Sequence, residues 1–119
     1  MSSVVGRRAR VVACAAMVMV LATALPAAAV TVVRGDGSRW RPATVSIARG
    51  GAVKWSAVFR SHVVKAYGGN WSYRRSIAQG DSVRRVFNSS GTFRFYCTIH
   101  GSVSGGNCTG MCGKVVVTS

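Results

Sequence analysis

The stretch Gly91–His100 reads GTFRFYCTIH and combines a clear strand pattern with two side chains that can bind metal. Phe93, Phe95 and Cys97 fall on alternate positions, and alternate side chains of a β-strand share one face. The pattern predicts a strand whose buried face carries two phenylalanines and a thiol. His100 follows Cys97 by three residues, so an imidazole is expected near the end of the same strand.

Short β-prone segments separated by glycine-rich turns continue on both sides of this stretch. The predicted strands are 31–33, 44–47, 53–55, 61–64, 82–87, 92–97 and 114–118. Gly35–Ser38 is predicted to be a turn, and Tyr67–Gln79 an irregular loop. No segment beyond residue 30 shows sustained helical periodicity, so the prediction is an all-β sandwich or barrel. Its expected core comprises Val45, Ile47, Val53, Trp55, Phe87, Phe93, Phe95, Val115 and Val117.

Residues 1–29 have the organisation of a secretory signal peptide. Three arginines precede the apolar run Val11–Leu25, and Ala27–Ala29 offers small residues for cleavage. The apolar run is shorter than the roughly 20 residues of a membrane span, but an uncleaved N-terminal anchor is the alternative. We therefore predict one domain over residues 30–119 that is secreted or otherwise extracytoplasmic, where disulfides persist.

The charge balance is strongly basic, with 16 Lys and Arg against two acidic residues in 119. Without the three arginines of the signal segment, the formal charge is still about +11. Such a surface attracts anionic partners, and export disfavours nucleic acid among them. An acidic redox protein, an anionic membrane or an acidic cell-wall polymer fits better, and a generally solvated basic surface is the alternative reading.

The sequence offers little for acid–base catalysis. Asp36 stands between two glycines and Asp81 follows a third, so both acids are expected in turns rather than paired in a cleft. No nucleophile elbow, phosphate-binding loop or dinucleotide fingerprint is present in the sequence. We predict that the protein is not an enzyme.

Four residues make a recognisable ligand set when they are taken together. His62 and His100 supply imidazoles, Cys97 a thiolate and Met111 a weak thioether, the ligands of a blue-copper electron-transfer centre. Each residue taken alone has a simpler interpretation. His62 alone is typical of a structural histidine, Cys97 alone of a buried core thiol, and Met111 alone of a packing residue. Cys97 with His100 alone is typical of a fragment of a zinc site. The order of the four residues along the chain, on predicted strands, favours a copper site.

The sequence also resembles the cupredoxins, specifically the small plastocyanin-like blue-copper proteins. Trp40–Trp55 resembles their N-terminal half, and Gly91–His100 followed by Met111–Val115 resembles their copper loop. The resemblance implies a Greek-key β-sandwich with one type 1 copper ion. It also implies that His62, Cys97 and His100 are ligands, that Met111 is the axial ligand, and that the protein carries single electrons.

Two features depart from the plastocyanin-like pattern. Ten residues, Gly101–Gly110, separate His100 from Met111, where the pattern has a much shorter gap, and this glycine- and serine-rich insert is expected to loop out. In addition, Val63 follows His62 where the pattern often has Asn or Thr, so a contact between the two ligand loops is expected to be missing.

The cysteine count suggests a disulfide. Three cysteines follow the signal segment, an odd number for an exported domain. If Cys97 binds copper, a bond between Cys108 and Cys112 accounts for the other two. The alternative is that these two bind a second metal or rearrange during copper loading.

The resulting prediction is a monomeric, exported electron carrier that works with a redox partner protein. One rival is a copper-binding or copper-delivery protein without an electron-transfer role. The other is a metal-free interaction domain on the same fold, with its basic surface as the working face.

Overall fold

The computed structural model describes residues 29–119, which form nine β-strands and no helix. Within this range no helix is long and apolar enough to cross a membrane. The predicted signal segment, residues 1–29, lies outside the described residues except for Ala29. The strands are β1 (Val30–Asp36), β2 (Arg39–Arg41), β3 (Thr44–Ala48), β4 (Ala52–Phe59), β5 (His62–Tyr67), β6 (Arg74–Ile77), β7 (Ser82–Val86), β8 (Gly91–Ser104) and β9 (Asn107–Thr118).

The strands form two mixed sheets that pack as a sandwich. The first sheet has the order β2-β1-β4-β7, and the second has the order β3-β9-β8-β5-β6. In each sheet one neighbouring pair is parallel, β1 with β4 and β3 with β9, and the remaining pairs are antiparallel. The all-β sandwich predicted from the sequence is confirmed.

The core lies between the sheets and is rich in aromatic side chains. Trp55 is fully buried at its centre, with its ring centroid 5.3 Å from that of Phe95 and 5.7 Å from that of Tyr73. Such edge-on and tilted contacts are the favoured geometries of aromatic pairs. All nine residues predicted for the core are buried. Within the described residues, the members of the core cluster lie between Val33 and Val117.

Three local predictions are wrong, the third of which concerns the insert after His100, and one strand was not predicted. β1 continues through Gly35 to Asp36 because it is held on both sides, by β2 and by β4, so the turn is confined to Gly37 and Ser38. The region predicted to be an irregular loop contains β6, whose Arg74–Ile77 segment pairs with β5. A strand at Arg39–Arg41 was also not foreseen; it turns the Trp40 side chain into the core.

The third error concerns the insert after His100, which is a β-hairpin and not an unstructured loop. β8 runs on to Ser104, and β9 returns from Asn107, with Gly105 and Gly106 between them at φ values of 57° and 81°. Both φ values lie in the left-handed region that glycine adopts readily, so the two residues permit a tight turn. The hairpin carries a disulfide between Cys108 and Cys112, which confirms the pairing predicted from the cysteine count.

Candidate metal centre

Three potential ligands converge at one end of the sandwich. His62 is the first residue of β5, and Cys97 and His100 lie on the neighbouring strand β8. Their ligand atoms all lie within 4.8 Å of one another. The Cys97 Sγ atom is 3.8 Å from His62 Nδ1 and 3.7 Å from His100 Nδ1. Pairing of β5 with β8 thus brings together residues that are 35 positions apart.

These separations fit a metal ion bound by all three atoms. Metal–nitrogen bonds of about 2.0 Å and metal–sulfur bonds of about 2.3 Å, set at 120°, place the ligand atoms roughly 3.7 Å apart. The two sulfur–nitrogen distances agree with this value. Two imidazoles and one thiolate in a trigonal arrangement are the ligands of blue-copper sites, so the donor set fits copper.

The His62 ring is held from three sides before any metal binds. Its side chain is 1% exposed, and Nε2 lies 2.8 Å from the carbonyl oxygen of Phe59. A carbonyl only accepts hydrogen bonds, so Nε2 carries the proton and Nδ1, which faces Cys97, has its lone pair free. Trp40 packs against the ring with centroids 5.5 Å apart. Gly35 covers another side, because a Cβ atom there would lie 2.6 Å from His62 Cδ2.

Replacing Gly35 by alanine is expected to weaken copper binding by about 10- to 100-fold, the usual range for residues that orient a ligand. The new methyl group would overlap the imidazole, which is buried and has no space to retreat. Titration of the purified variant with Cu(II), followed by visible absorption, measures the effect. Asp36→Ala is the matched control, since this neighbouring side chain is exposed. An unchanged affinity in Gly35→Ala would contradict the role of Gly35.

Cys97 is fully buried, and its sulfur accepts a hydrogen bond from a backbone amide. The Val63 N–H donates to Cys97 Sγ over 3.4 Å. This bond ties the two ligand-bearing strands together. A contact between the two ligand loops was predicted to be missing because Val63 has no polar side chain. The backbone amide of Val63 makes such a contact, and any residue other than proline could supply it.

His100 differs from His62 in being partly exposed. Burial lowers its pKa from the usual value, and the nearby His62 and Arg60 lower it further. A lowered pKa keeps the imidazole neutral at neutral pH, as a metal ligand must be. In acid the ring would be protonated, and protons would then compete with the metal for Nδ1.

Met111 lies beside this cluster and is 1% exposed. A Cβ atom on Gly101 would lie 2.9 Å from the Met111 nitrogen and 3.2 Å from the Cys97 carbonyl oxygen, so β9 passes close to the ligand-bearing part of β8. Met111 also lies within the ring closed by the Cys108–Cys112 disulfide. A groove of about 520 Å³, lined by residues of β2 and by Met111 and Cys112, opens on this side.

The structure thus brings together all four residues that the sequence predicted for the site. The groups that orient the ligands were not predicted from the sequence: Gly35, Trp40 and Phe59 around His62, and the amide of Val63 at Cys97. A glycine, a carbonyl and an amide carry no recognisable sequence signal. Only Trp40, which lies in the stretch that resembles cupredoxins, could have been singled out.

Comparison with known proteins shows likeness at the level of fold. No family model and no curated protein matches the sequence. Among solved structures, a reduced amicyanin variant matches with a TM-score of 0.64 and 20% identity over 78% of this chain and 86% of its own. A purple cupredoxin from Nitrosopumilus maritimus matches with a TM-score of 0.57 and 17% identity, over 74% of this chain and 99% of its own.

A third match is to a copper-containing nitrite reductase from Thermus scotoductus SA-01. Its TM-score is 0.64 at 22% identity, and the match covers 86% of this chain but only 25% of the reductase. These neighbours have in common the fold of the cupredoxins, and the nine-stranded sandwich described above has that fold.

Proposed function

We propose that this chain, which has the cupredoxin fold, is an exported type 1 copper protein that carries single electrons between redox partners. The convergence of His62, Cys97 and His100 ligand atoms within 4.8 Å is the observation that carries the proposal. Met111 is proposed as the weak axial ligand. The comparisons support the proposal, since the matched solved structures include a Cu(I) form of an amicyanin variant and a copper-containing nitrite reductase.

Each residue of the centre has a distinct proposed role. Bound copper would supply the one-electron change between Cu(I) and Cu(II). Cys97 and His62 lie in the dry interior, where fixed ligands need little rearrangement between the two states. His100 is partly exposed, so its ring edge offers the electron a short route to the surface.

The surface around His100 suits brief contacts with a partner. Phe59 is 52% exposed and Ile99 is 56% exposed, and both adjoin the cluster: the Phe59 carbonyl binds His62, and Ile99 precedes His100. Docking of a partner over these two side chains would remove their apolar surface from water, which favours association. We propose that the redox partner docks here, with the protein acting as a monomer and not as an enzyme.

Extracytoplasmic location is part of the same proposal. The Cys108–Cys112 disulfide requires an oxidising compartment to persist, and residues 1–29 have the pattern of an export signal. The strongly basic composition favours an acidic redox partner over a basic one.

The decisive experiment adds Cu(II) to the purified chain and records visible absorption and electron paramagnetic resonance. An intense blue thiolate-to-copper band with a narrow hyperfine splitting supports electron transfer. A pale spectrum of ordinary Cu(II), or binding of Cu(I) alone, supports copper handling instead. Failure to bind either ion would leave a metal-free interaction domain.

Replacing Met111 by leucine is expected to leave copper bound but to raise the reduction potential. The substitution removes the weak thioether and keeps the volume of the side chain, so the three strong ligands stay in place. Voltammetry of the copper-loaded protein measures the potential. Val115→Leu, at another buried position of β9, is the control for packing changes. A potential unchanged by Met111→Leu would show that Met111 is not axial.

Copper delivery is the second candidate, and one observation favours it. Cys112 adjoins Met111 at the groove of about 520 Å³, so reduction of the disulfide would expose two soft sulfur ligands beside the site. The spectroscopic experiment separates the candidates when it is repeated with a thiol reductant, because a delivery protein would then bind additional Cu(I).

A further inference from the structure

The outer face of the first sheet combines exposed valines with basic side chains in a regular array. Strand register places Val30 and Val86 on either side of Ala52, which is itself fully buried, in one row, and Val32, Lys54 and Arg84 in the next. Arg34 follows Val32 by two positions on β1 and so lies on the same face. The name aliphatic–basic face is used below for the following set: Val30, Val32, Arg34, Lys54, Arg84 and Val86.

The arrangement of the basic side chains on this face lowers the stability of the sheet. Lys54 lies directly opposite Arg84 on the neighbouring antiparallel strand, and like charges in that position repel. Within residues 29–119 the only ion pair joins Arg41 to Asp36 over 3.3 Å, so no carboxylate pairs with either cation. The sequence has only two acidic residues, so these cations lack internal partners and are available to an anionic ligand outside the protein.

The valines indicate what kind of anion the face would meet. Val30, Val32 and Val86 are 40%, 37% and 43% exposed, and they account for half of the large hydrophobic side chains exposed in the described part of the chain. A soluble polyanion would contact the cations and leave the valines in water. A bilayer with anionic headgroups accommodates both, because the valines can enter the headgroup boundary while the cations meet phosphates.

The position of the face in the fold agrees with a membrane contact. Ala52 donates a hydrogen bond to the carbonyl oxygen of Ala29, so the chain enters the domain at the valine row. The predicted export segment therefore joins the domain at this end. Gly35, which covers His62, lies five residues further along β1 than Val30, or about 17 Å away. The face spans this length, since Arg34 directly precedes Gly35, and its valine row is the end farther from the metal centre. A domain lying on the bilayer by its valine row would leave the metal centre uncovered.

We infer that the aliphatic–basic face binds the surface of an anionic phospholipid bilayer and leaves the His100 end free for a redox partner. Lipid binding depends on this face alone and needs no metal. It can therefore be tested on the metal-free chain, and its failure would leave the copper proposal untouched.

The test is co-sedimentation of the metal-free protein with vesicles of phosphatidylglycerol or of phosphatidylcholine. We expect binding to the anionic vesicles only, with the bound fraction falling as salt is raised. Lys54→Glu combined with Arg84→Glu should lower the partition coefficient by about ten-fold or more. Val32→Ser combined with Val86→Ser should lower it at unchanged charge. Circular dichroism confirms that each variant is folded.

The matched control is Lys65→Glu combined with Arg74→Glu, on the outer face of the second sheet. These residues also lie directly opposite each other on antiparallel strands, so the change in charge and in cross-strand repulsion is the same. This variant should retain most of the binding. If both charge-reversed variants lost vesicle binding equally, net charge alone would explain the binding, and the inference would be overturned. Full binding by the serine variant would indicate a soluble polyanion in place of a bilayer, and would overturn it as well.

Discussion

Replacing Cys97 by serine is expected to abolish the intense blue absorption of the copper-loaded protein. The colour of such a centre arises from charge transfer between thiolate and copper, and Cys97 is the only cysteine outside the disulfide within residues 29–119. Serine is only slightly smaller than cysteine, so the variant should keep the fold. Visible absorption at saturating Cu(II) measures the loss, and residual colourless binding through the two histidines is compatible with it.

The control for this prediction is the double substitution Cys108→Ser with Cys112→Ser. These sulfurs are joined to each other and not directed at the two imidazoles, so the blue band should survive their removal. A band that persists in Cys97→Ser would refute Cys97 as the thiolate ligand. If the band were lost only in the double variant, the thiolate ligand would be a cysteine of the hairpin and not Cys97.

Replacing Phe95 by alanine is expected to destabilise the domain by about 3–5 kcal/mol. Phe95 is fully buried, and its ring lies 5.7 Å from Trp40 and 5.3 Å from Trp55, so a large cavity would form where the two sheets meet. Because Trp40 packs on His62, the loss should also loosen the metal centre. Denaturant unfolding of the metal-free protein measures the stability change.

Phe59→Ala is the matched control for Phe95→Ala. Phe59 is 52% exposed, so its truncation should change the free energy of unfolding by no more than about 0.5 kcal/mol. An effect below about 1 kcal/mol for Phe95→Ala would contradict the central packing role assigned to this ring. Copper affinity measured on both variants would show how far the core supports the ligands.

The strands with alternating apolar residues could be predicted, because burial of one face places an apolar residue at every second position of the sequence. Phe93, Phe95 and Cys97 show this most clearly, and the structure buries all three. The ligand set was predictable for a chemical reason, since few residue types bind copper and the chain contains few of them. The disulfide followed from the small number of cysteines that remained.

Other parts of the fold leave no such signal. β6 exposes three of its four residues, so Ile77 alone marks it and no alternation can be detected. The hairpin after His100 is rich in glycine and serine, yet its backbone is paired through Ser104 with Asn107. β3 pairs in parallel with β9, and the paired residues are 70 positions apart in the sequence. A local sequence pattern cannot reveal a pairing over such a distance.

The place of β9 in the second sheet has a consequence for the order of events during synthesis. β9 is the last strand to be made, yet it lies between β3 and β8, and it carries Met111 and Cys112. The second sheet can therefore close only after the ribosome has released the chain as far as β9. Under the proposed export, the polypeptide would stay extended until then, and the Met111 side chain would join the other three ligands only after translocation.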